Sequence, residues 1–244
     1  LAMIGPDPDL GNRLPAFRFP LPGRAGLAQK LARIWELAAL ETAGDPLPAG
    51  APTLSFLVPV HNAEPDWLDT LLASFLGQAP GAELILSDDG STAPATAHWL
   101  ATHDRVPGIR VLRSAENTGI AAATNRALAA ARGDWVALAD HDDALAPHAV
   151  ARIRRALARH PDTLFAFTDE IATDADLAPL SLFAKPAFDP VLLSGVNYVN
   201  HLSLYRRDRL TALGGLRNGF HGSQDYELVL RFTRGLAAER ILHI

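Results

Sequence analysis

From residue 53 onward, short apolar runs alternate with longer segments of helical period. "TLSFLVPV" (53 to 60), "AELILS" (82 to 87), "IRVLRS" (109 to 114), "DWVALAD" (134 to 140) and "TLFAFTD" (163 to 169) are strand-length runs of buried type. Between them, "DWLDTLLASFLGQ" (66 to 78), "TAPATAHWLATH" (92 to 103), "TGIAAATNRALAAAR" (118 to 132) and "PHAVARIRRALARH" (147 to 160) read as helices. Pro147 suits the first turn of the last of these. Strands alternating with helices of this length predict βαβ units and an α/β fold with a doubly wound, mostly parallel central sheet.

The pattern changes at both ends. Eight of the 18 prolines precede residue 53, so residues 1 to 52 read as a proline-rich extension. It contains one amphipathic helix, 25 to 42, with Leu27, Leu31, Ile34 and Ala38 at helical spacing. After residue 170 the alternation fades into prolines and short apolar runs. Helices are predicted at 207 to 213 and at 224 to 235, the second closing at Gly235. This portion is expected to add antiparallel strands and to cover one side of the sheet's ligand edge, making 53 to 244 one domain.

The polar residues concentrate where the strands end: "PVHN", "SDDGS", "SAENTG", "ADHDD" and "TDE". In an open α/β sheet, ligands bind beyond the carboxyl ends of the strands. Neither G-x-G-x-x-G nor a P-loop occurs, so phosphates are not cradled by a glycine loop after the first strand. Asp140, Asp142 and Asp143 crowd into four positions, an unfavourable arrangement that a divalent cation offsets. Mg²⁺ or Mn²⁺ takes oxygen ligands and shares them with substrate phosphates.

Composition narrows the partners. The 48% apolar content over 244 residues suffices for a core, and a formal charge of −5 with pI about 6.0 argues against a nucleic-acid-binding surface. There is no cysteine, so thiolate metal sites and disulfides are excluded. No apolar run approaches the roughly 18 residues that span a bilayer, and "LAMIGPDPDLGNRLP" lacks the features of a signal peptide; a cytoplasmic protein is expected. The ends, Leu1 and "RILHI", suit an excerpt of a longer chain, truncated at its C-terminus.

"SFLVPVHN", "LILSDDGS", "NTGIAAATNRAL", "ALADHDDAL" and "GSQDYELVLR", in this order, resemble the family 2 glycosyltransferases of GT-A fold, most closely those of bacterial surface-polysaccharide synthesis. The resemblance covers residues 53 to 244 and implies an inverting transfer from a nucleotide-diphosphate sugar (UDP-, dTDP- or GDP-) to a hydroxyl of a glycan or lipid-linked acceptor. A lipid-linked acceptor would bring the protein to the inner face of the membrane. Pro59, Val60, His61 and Asn62 would line the nucleotide pocket. Asp89 would meet the base or ribose, with Asp88 beside it, and Asn117 and Gly119 would approach from the third strand's loop. Asp140 and Asp142 would be the D-x-D pair, Asp142 the direct metal ligand and Asp140 nearer the ribose, with His141 a spacer. Asp225 would be the general base.

The resemblance also implies two departures. Relatives of this type carry a third acid where this chain has Ile171, and a histidine beyond "ILHI", for which His243 is the candidate here. Lys185 matches a Lys-Pro step of the relatives and would neutralise phosphate or acceptor charge; His201 and His221 are candidate acceptor contacts. The basic run 151 to 159 reads as a solvated helix face, with anionic lipid as the other reading. Two further classes share some of these residues: a non-catalytic nucleotide- or sugar-binding module, and a metal-dependent phosphohydrolase. The second needs histidines spaced along helices, whereas His141 follows a strand.

Overall fold

The computed structural model describes residues 24–44, 47–78 and 80–244. The opening segment 1–23, expected to be non-sheet chain, lies outside the described residues. In chain order the elements are α1 (Arg24–Gly44), β1 (Leu54–Val60), α2 (Pro65–Leu76), β2 (Ala82–Asp89), α3 (Pro94–His103), β3 (Ile109–Ser114), α4 (Ile120–Ala130) and β4 (Trp135–Leu138). They continue as α5 (Ala149–Arg159), β5 (Phe165–Phe167), β6 (Glu170–Thr173), β7 (Pro179–Phe183), α6 (Pro190–Gly195), β8 (Ser203–Arg206), α7 (Arg207–Ala212), α8 (Gln224–Thr233) and β9 (Ile241–His243).

The main sheet has the order β3-β2-β1-β4-β8-β5-β9. The first four strands are parallel, as the βαβ pattern requires. β8 then enters antiparallel between β4 and β5, and β9 closes the edge parallel to β5. β6 and β7 form a separate antiparallel hairpin. The expected fifth parallel strand therefore does not neighbour the fourth. β5 is three buried residues, too short to carry a directional signal of its own.

β1 reads as a continuous apolar run because both of its faces are covered. On one face Leu68, Leu71, Phe75, Trp99, Val150, Ile153 and Leu157 from α2, α3 and α5 pack against it. On the other, Ala127, Leu128, Leu228, Val229 and Phe232 from α4 and α8 do so. Pairing of β1 with β4 ends at Leu57↔Leu138, so Pro59 falls where that neighbour has already been released. The strand order reverses between β1 and β4, which opens the crevice at their carboxyl ends.

Two expectations are corrected here. Ile34 does not join the buried stripe of α1: Leu31 and Ala38 are buried, whereas Ile34 is 44% exposed, because this helix packs on the hairpin strand β7 and on α5. The basic run of α5 is not wholly solvated either. Arg154 turns inward and donates to the carbonyls of Pro52 (2.7 Å), Pro80 (2.9 Å) and Ala51 (3.2 Å), tying the starts of β1 and β2 together. Pro147 precedes the helix, which begins after His148 at φ 64°.

Candidate active site

The first wall of the crevice comes from the ends of β1 and β2. His61 Nδ1 lies 3.0 Å from the carbonyl of Asp89, which can accept but not donate, so Nδ1 carries the proton. Nε2 is then the acceptor and takes the amides of Asn117 (3.1 Å) and Asn62 (3.2 Å). The Asn62 side-chain oxygen in turn accepts from the backbone of Thr92 and Ala93, both at 2.8 Å. Asn62 itself sits at φ 51°, the left-handed conformation that asparagine tolerates. Pro59 lines the cavity, whereas Val60 as a whole is 1% exposed and belongs to the core rather than to the expected pocket wall.

Asp88 and Asp89 build the next loop. Asp88 accepts from Ser91 N at 3.0 Å. The side chain of Asp89 is 4% exposed and is engaged by the Thr118 hydroxyl (2.7 Å), Thr118 N (3.1 Å), Gly119 N (2.6 Å) and Arg126 (3.3 Å). Burial pushes this carboxyl up, but the bonds from Thr118, Gly119 and Arg126 outweigh it and hold it below the usual carboxylate range. Any contact Asp89 makes with a nucleotide therefore replaces one of these bonds. Arg126, which the sequence reading passed over, also reaches Ser87 and the Asp88 carbonyl. Its neighbour Asn125 clamps Leu216 through both its backbone groups at 2.8 Å, fixing the chain that leads to α8.

The acidic cluster forms at the β4 end, but with a different membership from the pair that the resemblance implies. The Asp143 carboxylate accepts from Asp140 N (2.9 Å), and Asp143 N donates to the Asp140 carbonyl (3.2 Å), closing a turn. The connection that leads into β8 supplies the third member. The register of β8 with β4 pairs Ser203 with Leu138, so continuing that register two residues puts 201 opposite 140. His201 Nε2 lies 3.8 Å from Asp140 Oδ2, and Nδ1 lies 3.6 Å from Asp143 Oδ2. Asp142 is exposed, and among the described residues it joins no such grouping; His141 lies against Trp67 with ring centroids 5.9 Å apart.

These groups fit a divalent cation. Ligand atoms of Asp140, Asp143 and His201 all lie within 4.8 Å of one another, where ligands about 2.0–2.1 Å from an octahedral ion stand roughly 3–4 Å apart. Reduced access to water raises the pKa of Asp140; His201 opposes the rise and the carboxylates of Asp143 and Asp142 reinforce it. The Asp143 carboxylate beside it lifts His201 to about 9 against the opposing effect of burial, with Asp140 and Glu170 adding to the rise. A cation entering here competes with that proton.

Across a cavity of about 90 Å³ stands Asp225, in the first turn of α8 as expected. Asp140, Asn200, His201, Gln224 and Asp225 all line this space. Asn197 (3.0 Å) and Asn200 (2.5 Å) both donate to Oδ2 of Asp225, and among the described residues no donor reaches Oδ1. Neither asparagine was legible as functional, since "SGVNYVNHL" carries no spacing signal until β8 folds back.

Behind the cluster, Lys185 is fully buried and bonds the His201 carbonyl (2.7 Å), so it does not face phosphate. Asp169 accepts from Lys185 N (2.9 Å) and pairs with His243 Nε2 (2.8 Å). His243 stacks on Phe167 and stands apart from Asp140 and Asp143. His221 is exposed beside Gly119.

Comparison with known proteins bears on this arrangement. Residues 55–212 match the profile described as glycosyl transferase family 2. O-antigen biosynthesis protein RfbC of Myxococcus xanthus is 40% identical over 195 residues, covering 79% of this chain and 15% of that protein. The chain thus spans a small part of the relative's length. TarS of S. aureus, solved with UDP-GlcNAc, superposes with a TM-score of 0.63 at 19% identity over 79% of this chain and 56% of that one. The mannosyltransferase PcManGT of Pyrobaculum calidifontis, solved with GDP-Man and Mn²⁺, gives 0.56 at 20% identity, covering 91% of this chain and 66% of that one. At these identities the likeness to TarS and PcManGT is one of fold.

Proposed function

The chain belongs to glycosyl transferase family 2, and from that premise we propose that it moves a sugar, with inversion, from a nucleotide-diphosphate donor to an acceptor hydroxyl, assisted by a divalent cation. One observation carries this reading: Asp225 faces the Asp140–His201 edge across a single cavity, with one carboxylate oxygen fixed and the other open.

The acceptor oxygen attacks the anomeric carbon while the bond to the β-phosphate oxygen breaks and its electron pair leaves with the nucleoside diphosphate. Asp225 Oδ1 takes the acceptor proton, a role typically worth about 10² to 10⁴ in rate. Asp140, Asp143 and His201 would hold the cation, which supplies positive charge where negative charge grows on the leaving group. A mixed oxygen and imidazole donor set suits Mn²⁺ better than Mg²⁺, which strongly prefers oxygen. Asp142, the ligand implied by the resemblance, stands outside this set and would reach the cation only if the 140–143 turn changed. The loop built by Asp88 and Asp89 would present Asn117 and Gly119 to the nucleotide, with Pro59, His61 and Asn62 opposite.

UDP-, GDP- and dTDP-sugars are all candidate donors, and a growing glycan is the acceptor class. The name of RfbC supports a role in surface-polysaccharide synthesis. Among the described residues no helix is long and apolar enough to cross a membrane, so a lipid-linked acceptor would be met at the membrane face. The test is nucleotide release from a panel of these donors with Mn²⁺ or Mg²⁺, with Asp225→Asn as control. Turnover lost in that variant while nucleotide still binds supports the transferase; nucleotide binding with no transfer to any acceptor points to a binding module.

A further inference from the structure

The β6–β7 hairpin runs beside the acidic cluster and lends the cavity no side chain, yet it grips the residue that completes the cluster. Glu170, at the start of β6, accepts the backbone N–H of His201 on Oε2 at 2.7 Å. Lys185, two residues past β7, donates from Nζ to the carbonyl of the same residue at 2.7 Å. The two charges lie 3.5 Å apart. We propose that Glu170 and Lys185 are positioning residues for His201: the pair holds both polar ends of its backbone and so sets where the imidazole meets Asp140 and Asp143. This rests on the reading of the cluster as a cation site.

Three observations carry it. His201 lies in the connection between α6 and β8, and among the described residues neither its N–H nor its carbonyl bonds to another backbone group. Its conformation therefore depends on these side chains. Secondly, the Lys185 side chain is 0% exposed. A buried ammonium is expensive, and apolar residues of similar volume often replace buried ion pairs without loss of stability, so fold stability alone does not call for a charge here. Nor can the group serve as a solvent-facing phosphate contact. Thirdly, the base of the hairpin is itself tied down: Asp169 accepts from Lys185 N and pairs with His243, which stacks on Phe167 at 4.7 Å. The register of β8 against β5 pairs Ser203 with Phe167, and continuing it two residues brings 201 opposite 169. His201 is thus held between the β4 turn that carries the acids and the hairpin that carries the clamp.

The experiment measures Mn²⁺ binding to the purified chain, without sugar nucleotide, from the electron paramagnetic resonance signal of free Mn²⁺. Wild type is compared with His201→Ala, Lys185→Met and Glu170→Gln, each checked for its melting transition. Groups that orient a metal ligand typically contribute 10- to 100-fold to affinity, so Lys185→Met should weaken Mn²⁺ by that factor, and Glu170→Gln by a smaller one because the amide can still accept. In turnover, the Mn²⁺ concentration for half-activation should rise while the rate at saturating Mn²⁺ is largely kept. A Lys185→Met protein that melts like wild type and binds Mn²⁺ equally well, while His201→Ala binds weakly, overturns the clamp and leaves the cation site standing. If His201→Ala also binds normally, the cation reading falls and the clamp with it. Should Lys185→Met fail to fold, Glu170→Gln decides, since it preserves shape: unchanged affinity and unchanged half-activation overturn the proposal.

Discussion

Asn200 Nδ2 meets Asp225 Oδ2 at 2.5 Å across 25 residues of sequence, and Asn197 reaches the same oxygen at 3.0 Å. Two donors on one oxygen orient the carboxylate and leave the other oxygen for an acceptor hydroxyl. Asp225→Asn should lower turnover by about 10² to 10⁴ while nucleotide affinity by calorimetry stays within about twofold. A parallel loss of nucleotide affinity would place Asp225 in donor binding instead.

The cation site separates the ligand implied by the resemblance from the one the geometry favours. Chelation with EDTA should abolish transfer, and Mn²⁺ should restore it. Asp143→Asn should raise the Mn²⁺ requirement at least tenfold, whereas Asp142→Asn, which removes an exposed carboxylate, should change it little. The reverse ranking in a Mn²⁺ titration of activity would show that the turn rearranges on binding and that Asp142 is the working ligand.

Asp89 gives a stability prediction with a definite sign. Its folded carboxyl is held below its ordinary value, so it contributes stability that is fully present above the unfolded value near 4 and is lost as the pH falls through the folded one. Asp89→Asn should cost about 1–3 kcal/mol at neutral pH, because an amide cannot accept from Gly119 and Arg126 together. Denaturant midpoints measured from pH 7 to pH 3 should converge for wild type and variant at the acid end. A gap that stays constant with pH would mean that the charge of Asp89 does not matter.

Gly90 sits at φ +69°, and a Cβ there would stand 2.6 Å from the Glu116 carbonyl carbon and 2.7 Å from Asn117 N. Gly90→Ala must move that backbone, which positions Asn117 on His61. A loss of about 1–3 kcal/mol is expected, with weakened nucleotide binding in a thermal-shift titration. Wild-type affinity in a destabilised variant would remove Asn117 from the nucleotide site.

Much of the fold was legible because its signals are local. The apolar β1, buried at all but Pro59, and the helices α2, α4 and α8 announce themselves within their own residues. Ile34 misled because periodicity marks a helix face without saying what covers it. The resemblance pairs Asp140 with Asp142, and positions i and i+2 share a face in a strand. β4 ends at Leu138, however, and 140–143 is a turn, where i and i+3 approach; Asp143 therefore replaces Asp142 beside Asp140.

The sequence by itself determined the parallel half of the sheet, the ligand edge and the acids that stand on it, since hydrophobic period and strand-end polarity are properties of contiguous residues. Only the tertiary structure decided which distant residues complete the site. His201, Asn197 and Asn200 reach Asp140 and Asp225 because β8 inserts antiparallel beside β4, and Glu170 and Lys185 reach His201 because β6–β7 folds against it. Strand insertion and its register are set by packing between segments far apart in the chain, and no spacing within either segment records them.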